Sequence, residues 1–220
     1  MLSKEVIQFL KDVSANNNRD WFAANKPQYE KVKLDFEKFC DNLIKGIADF
    51  DKDIKILPAK DCTFRIYRDT RFSPNKTPYK NNMGCFITPK GKNGDSAGYY
   101  FHIEPGNIMI AGGIYMPPAD ILKKIRSEIY YNADEFLNII NDKAFVNFFD
   151  KIEEEGMLKK APKDFPPEFE HVNLLKYKHY TVLHGVTEDL LYKPEFLKYA
   201  IGVFKAMLPL NSFLRRAISN

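Results

Sequence analysis

Gly98-Tyr99-Tyr100-Phe101-His102-Ile103-Glu104-Pro105-Gly106-Asn107-Ile108-Met109-Ile110-Ala111-Gly112-Gly113 reads as two strands folded back on one another. Side chains alternate between faces along a strand, so Tyr99, Phe101 and Ile103 share one side and Tyr100, His102 and Glu104 the other. Pro105-Gly106 supplies the turn between them. Gly112-Gly113 ends the second strand, where a bulge is the simplest account and a closely approaching backbone or ligand the alternative.

Outward from this hairpin the same alternation, broken by Gly and Pro, holds between residues 60 and 116. It predicts further strands at Cys62–Asp69 and Gly84–Thr88, with a hairpin turn at Gly91–Gly98. The first 50 residues follow a helical period instead. Val6, Phe9, Leu10 and Val13 form a short opening helix after Ser3, and Asn16-Asn17-Asn18 interrupts it. A second helical start falls near Trp21, after Asn18-Arg19-Asp20. From Pro27, the series Tyr29, Val32, Phe36, Phe39, Cys40, Leu43, Ile44, Ile47 and Phe50 keeps one apolar stripe. Beyond Pro117-Pro118 the helical period returns through Ile121, Ile125, Ile129, Phe136, Phe145 and Phe149. One late strand is expected at Tyr180–His184, before a last long helix from Pro194 to Leu208. The expectation is a single α+β domain over residues 1–220. Its mostly antiparallel sheet, with strands between about 62 and 112 plus one near 180–184, is packed by N- and C-terminal helices.

With 220 residues, 45% of them hydrophobic, the chain can bury a sizeable core, which excludes disordered and fibrous classes. No apolar run reaches the ~18 residues of a membrane span, and the opening Met1-Leu2-Ser3-Lys4-Glu5 does not lead into the basic, apolar and cleavage-site pattern expected of a secretory signal. Cys40, Cys62 and Cys85 are odd in number without a CxxC pair, which points to three free, buried thiols and a cytoplasmic protein.

The net charge of +4 is too small for wholesale polyanion binding, but it is unevenly spread. From Lys55 to Lys92 nine Lys or Arg face only Asp61 and Asp69, a balance of +7, and the rest of the chain sums to −3. Three of the seven arginines, Arg65, Arg68 and Arg71, fall within seven residues in a chain that otherwise uses Lys, which indicates a need for guanidinium geometry. In a strand, Arg68 shares the apolar side with Phe64 and Ile66, so it needs either a carboxylate, Asp69 or Glu104 being nearest in sequence, or a bound anion. Pro74 and Pro78 stiffen the loop that carries Lys76 and Lys80, which either closes over an anion or is a solvated basic turn. It is not a phosphate-binding Walker loop.

His102 and Glu104, two positions apart on one face, suit a general acid–base and its orienting partner, although any polar sheet face produces the pattern. His102-x-Glu104 with the distant His184 imitates a two-histidine, one-carboxylate metal triad, whereas His171 and His179 have no ligand-like spacing. No motif implies a cofactor, and the reading assigns no metal.

Together, Asn17-Asn18-Arg19-Asp20-Trp21-Phe22, Phe64-Arg65-Ile66-Tyr67-Arg68-Asp69, Arg71-Phe72, Lys76-Thr77-Pro78-Tyr79-Lys80, the Gly98–Gly106 string and Gly112-Gly113-Ile114-Tyr115 resemble the conserved family called domain of unknown function 2461. That family is found in bacteria and fungi, and the resemblance spans nearly the whole chain. It implies a single domain but no reaction. The family's recurrent positions correspond to Arg65, Arg68, Asp69, Arg71, Lys76, Lys80, His102 and Glu104, the cluster that alternation and charge single out.

Three functions compete. The first is binding of a small phosphate- or carboxylate-bearing ligand by Arg65, Arg71, Lys76 and Lys80, with Arg68 and Asp69 as a supporting pair and His102 and Glu104 as acid–base groups in hydrolysis or transfer. The second is nucleic-acid binding, with Tyr67, Tyr79 and Tyr100 as stacking platforms. The third is a protein-interaction domain whose arginines are structural and whose contact surface is the acidic stretch Asp134–Glu170.

Overall fold

The computed structural model describes residues 2–71 and 73–219. The opening helices are α1 (Lys4–Ala15), α2 (Arg19–Ala24) and α3 (Lys26–Phe50). Asn18 starts α2 by accepting from the Trp21 amide at 2.9 Å, and Pro27 sits in the first turn of α3, where its missing N–H costs nothing. The α3 stripe from Tyr29 to Ile47 is buried as its periodicity predicts.

A four-stranded antiparallel sheet follows in the order β1 (Met83–Ile87), β2 (Gly98–Glu104), β3 (Asn107–Ile114) and β4 (Tyr180–Val186). The β2–β3 register pairs Glu104 with Asn107, leaving Pro105-Gly106 as a two-residue turn; Gly106 has φ +78°, a conformation glycine adopts without strain. Register and alternation put Cys85, Tyr99, Phe101, Ile110 and Val182 on one face. Helices cover that face. Phe36 and Phe39 of α3 meet Phe101 at ring separations of 6.2 and 5.3 Å, and Phe204 of the C-terminal helix α9 (Phe196–Ala206) meets Tyr99 at 5.5 Å. The opposite face carries Phe86, Tyr100, His102, Glu104, Met109 and Leu183 and stays open.

Between β3 and β4 run α5 (Ala119–Tyr131), α6 (Ala133–Ile140) and α7 (Lys143–Val146), and the chain closes through α8 (Glu188–Leu191), α9 and α10 (Leu208–Ser219). With the single-turn α4 (Ala59–Cys62) this makes ten helices and four strands among the described residues, an α+β fold. A buried polar cluster ties the ends of the chain together. Arg215 of α10 donates to Asp51, just past α3, at 2.8 Å, and Tyr99 donates to the same carboxylate oxygen at 2.6 Å.

Four expectations need correction. Cys62–Asp69 is not a strand: Cys62 ends α4, whose first amide, on Ala59, is held by Asp41 at 2.8 Å, and only the bridges Thr63 to Cys85 and Tyr67 to Tyr79 follow. The pairing stops because Pro78 has no N–H to offer and Asp69 and Asn75 bend the chain by accepting amides two residues on. The Gly91–Gly98 connection is longer than a tight hairpin turn and contains a 3-10 turn at Gly91–Asn93. The helix expected from Pro194 to Leu208 is α9, but it is not the last: a further helix, α10, follows Met207 with Pro209 in its first turn. Gly112-Gly113 is no bulge, since β3 pairs on through both residues; Gly113 has φ +99°, and a Cβ there would collide with the Tyr180 carbonyl oxygen.

Candidate functional site

The open face of β2 carries a continuous polar chain. The Tyr100 hydroxyl lies 2.9 Å from His102 Nδ1, His102 Nε2 lies 3.3 Å from Glu104 Oε2, and Asn81 Nδ2 donates to Glu104 Oε1 at 2.7 Å. Positions 100, 102 and 104 meet because strand alternation stacks them on one side, and Gly84, opposite His102, leaves the space the Tyr100 hydroxyl occupies. His102 is buried, and that desolvation holds its pKa below the ordinary value despite the neighbouring Glu104. Burial, with help from Cys85 and Glu104, pushes the Tyr100 phenol up to about 12. Both side chains are therefore neutral near pH 7.

The basic residues divide into two groups. Arg65, Arg68 and Lys80 lie together, and burial followed by the proximity of Arg65 and Arg68 pulls the Lys80 pKa down. Backbone bonds across the short ribbon, Arg68 N to Pro78 O at 2.9 Å and Lys80 N to Ile66 O at 2.8 Å, bring them together. Among the described residues no carboxylate comes within ion-pair distance of any of the three. Among the same residues the Arg68 guanidinium has only Thr77 Oγ1 at 3.5 Å, and Lys80 Nζ stands 5.6 Å from the centre of the Phe64 ring.

Arg71, Asp69 and Lys76 belong to the exposed loop instead. Arg71 holds Asp69 through two bonds of 2.9 and 2.7 Å, which lowers the Asp69 pKa, and Lys76 donates to the Thr70 carbonyl at 2.9 Å. Arg68 and Asp69 are therefore not a pair: the turn brings Asp69 to Arg71. Phe72, part of the same motif, lies outside the described residues.

Beside the polar chain the open face floors a cavity of about 640 Å³. Phe86, Tyr100, Met109, Ala111 and Leu183 come from all four strands, so the floor crosses roughly 14 Å at ordinary strand spacing. Phe64 forms the wall nearest the cations and also touches Tyr100 edge-on at 6.4 Å. The far wall contains Tyr115, Met116 and His179. Met116 holds φ +46°, and His179, only 4% exposed, has an Nε2 without a hydrogen-bond partner among the described residues. Volumes of this order suit small organic ligands.

Several candidates separate from this site. His184 lies on the helix-covered face, bonded to the Phe148 carbonyl at 3.0 Å and the Tyr199 hydroxyl at 2.6 Å, so it cannot share an ion with His102 and Glu104. No group of three or more His, Cys, Asp or Glu among the described residues is arranged to hold a metal ion. Tyr79 is buried against Phe22 at 3.9 Å and offers no stacking surface, whereas Tyr67 is exposed. Asn17, from the family-like N-terminal string, brackets the Tyr79 backbone with two 3.0 Å bonds, a structural task. The sequence reading missed Asn81, Phe64, Phe86 and His179 as parts of the site. For Phe86 alternation was the available signal, because it falls two residues from Gly84 on the open face of β1.

A family model described as Conserved hypothetical protein (DUF2461) matches residues 5–213. No curated protein and no solved structure matches the chain.

Proposed function

We propose that this chain, which belongs to the DUF2461 family of conserved hypothetical proteins, binds a small organic ligand with a phosphate or carboxylate group on the open face of its sheet. The observation that carries the reading is the convergence of Arg65, Arg68 and Lys80, none within ion-pair distance of a carboxylate among the described residues, near the Phe64 wall of a mainly apolar cavity whose other lining includes Asp95, Glu153 and Glu155. Like charges repel, Asp69 offsets Arg65 only from beyond ion-pair distance, and a bound anion would reverse the sign of the repulsion. Phe64, shared by the cations and the cavity, supports one ligand using both, its anion on the guanidinium groups and its body against Phe86 and Tyr100. Arg71, Asp69 and Lys76 would shape the loop around the anion. In a hydrolytic or transfer reaction at the anionic group, His102, whose two ring nitrogens face Tyr100 and Glu104, would act as acid or base through the Tyr100 hydroxyl with Glu104 orienting it. The buried, free thiols of Cys40, Cys62 and Cys85 support a cytoplasmic setting, and one continuous hydrophobic core from α1 to α10 supports a single domain. No helix among the described residues is long and apolar enough to cross a membrane.

The test uses inorganic phosphate and phenyl phosphate, measured by titration calorimetry. Phenyl phosphate is expected to bind more tightly than phosphate, and Arg65→Ala, Arg68→Met and Lys80→Met each to weaken it. Unchanged affinity in all three variants, or no binding of an aromatic phosphate or carboxylate, would end the proposal.

Nucleic acid is the second reading, favoured by the exposed rings on the open face flanked by cations. It differs in its salt response: single-stranded oligonucleotide affinity should fall steeply with salt, and a flat or absent response removes it.

A further inference from the structure

We propose that Tyr100 meets the ligand as a hydrogen-bond acceptor, so that the anionic ligand carries a donor near its charged end, a hydroxyl, an amine or a ring N–H, placed over Gly84. This rests on the anionic-ligand reading and narrows it.

The polarity is set from the far end of the chain of contacts. The Glu104 carboxylate can only accept, and it does so from Asn81 at 2.7 Å and from His102 Nε2 at 3.3 Å. The single proton of a neutral imidazole is therefore on Nε2, and Nδ1 is bare. The Tyr100 hydroxyl, 2.9 Å from Nδ1, donates its only hydrogen there. What it has left for a ligand is a lone pair.

The opposite polarity is unfavourable. A ligand oxygen that demanded the Tyr100 proton would force the imidazole proton onto Nδ1, leaving bare Nε2 against the Glu104 carboxylate, two acceptors facing each other at 3.3 Å. No other charge reorders this. His102 faces Tyr100 and Glu104 along β2, Asn81 behind Glu104, and the uncharged Gly84 and Met109 across the neighbouring strands. Burial keeps the ring neutral.

The hydroxyl also lies where a ligand would pass. A Cβ on Gly84 would come within 2.6 Å of it, and the Gly84 carbonyl accepts from the Phe64 amide at 3.0 Å. Phe64 in turn lines the cavity and carries Lys80. The acceptor thus adjoins the cations. In this arrangement His102 is a positioning residue, fixing the direction of the Tyr100 proton.

The experiment has two arms. In the ¹⁵N-labelled protein at neutral pH, long-range proton–nitrogen spectra are expected to show His102 protonated at Nε2 and bare at Nδ1. A proton on Nδ1 overturns the proposal. In the second arm, 3-aminophenyl phosphate and 3-nitrophenyl phosphate are compared, with phenyl phosphate as reference. The amino compound should bind roughly three- to tenfold more tightly than the nitro compound, the worth of one ordinary hydrogen bond. Tyr100→Phe should erase that preference while phenyl phosphate affinity is kept. Equal binding, or a preference for nitro, in the unaltered protein overturns the proposal. Failure of all three phosphates removes the anion site instead, and aniline and nitrobenzene then decide: the acceptor assignment stands only if aniline alone shifts the His102 ring nitrogens.

Discussion

Arg68→Met and Arg215→Met should move stability in opposite directions, although each removes one partly or wholly buried guanidinium. Arg215 is 7% exposed; its Nη2 lies 2.8 Å from Asp51 and its Nε 3.1 Å from Asp53. Replacement leaves the Asp51 carboxylate, itself 2% exposed, with no cation and only the Tyr99 hydroxyl and the Asp53 amide among the described residues to stabilise it. Breaking such a pair from one side costs about 3–5 kcal/mol. For a chain of this size, where 1 kcal/mol corresponds to about 2–4 °C, the melting temperature should fall by roughly 6–20 °C. Among the described residues Arg68 has no carboxylate to abandon, and its one polar contact, to Thr77 at 3.5 Å, is too long to matter. Two like unit charges near a solvated surface repel by an amount on the order of 1 kcal/mol. Methionine keeps the apolar stem and removes this repulsion from Arg65 and Lys80. The variant should therefore be as stable as the parent or up to about 1 kcal/mol more so, and salt, which screens the repulsion, should shrink the gain.

The same substitution should cost affinity. One charge-assisted hydrogen bond contributes about 1.5–3 kcal/mol, so phenyl phosphate should bind roughly ten- to 150-fold more weakly. Urea unfolding at two salt concentrations and calorimetry read the two quantities separately. If Arg68→Met lost more than about 2 kcal/mol of stability and left phosphate binding intact, Arg68 would be a structural arginine and the inference from unpaired charge would be wrong.

Gly84→Ala should push its new Cβ against the Tyr100 hydroxyl, break the 2.9 Å bond to His102 and cost about 1–2 kcal/mol. Gly185→Ala, on the same open face with nothing within 4 Å of its Cβ, should be close to silent; equal effects in urea melts would discount the steric argument. Gly113→Ala combines a left-handed φ with a collision against the Tyr180 carbonyl and should cost at least about 2–3 kcal/mol, so near-native stability would contradict the β3–β4 geometry. His102 gives a pH signature. Its folded pKa is below the unfolded one, so above about pH 6.5 both states are neutral and it contributes nothing. As the pH falls below that, the unfolded chain takes the proton first, and stability should decline by up to about 1.4 kcal/mol per pH unit until the folded ring protonates as well. The stability difference between parent and His102→Gln should carry this slope, and a flat difference, or one rising towards acid, would refute it.

How much of this was legible depends on whether the deciding interaction is local. Alternation along residues 98–113 suffices to predict which side chains share a face, because a strand's period is fixed by its backbone, and β2 and β3 carry Phe101 inward and His102 outward accordingly. The same reasoning at Cys62–Asp69 puts Ile66 inside correctly yet predicts a strand that does not form, because a ladder also needs donors on the partner segment and Pro78 lacks one. The α9–α10 break is hidden for a related reason: Phe204 and Leu208 continue an apolar period across Met207, and periodicity alone does not register that the backbone has turned. Pairing of charges is the least local property of all. Asp69 is adjacent to Arg68 in sequence but bonds Arg71, since an Asx turn reverses the chain within two residues, and Arg215 finds Asp51 across 164 positions with no pattern near either to announce it. The site follows the same division. Alternation suffices to put His102 and Glu104 on one face, but the partner that holds Glu104, Asn81, lies outside the strand, and the room for the Tyr100 hydroxyl comes from the missing side chain at Gly84 on the next one.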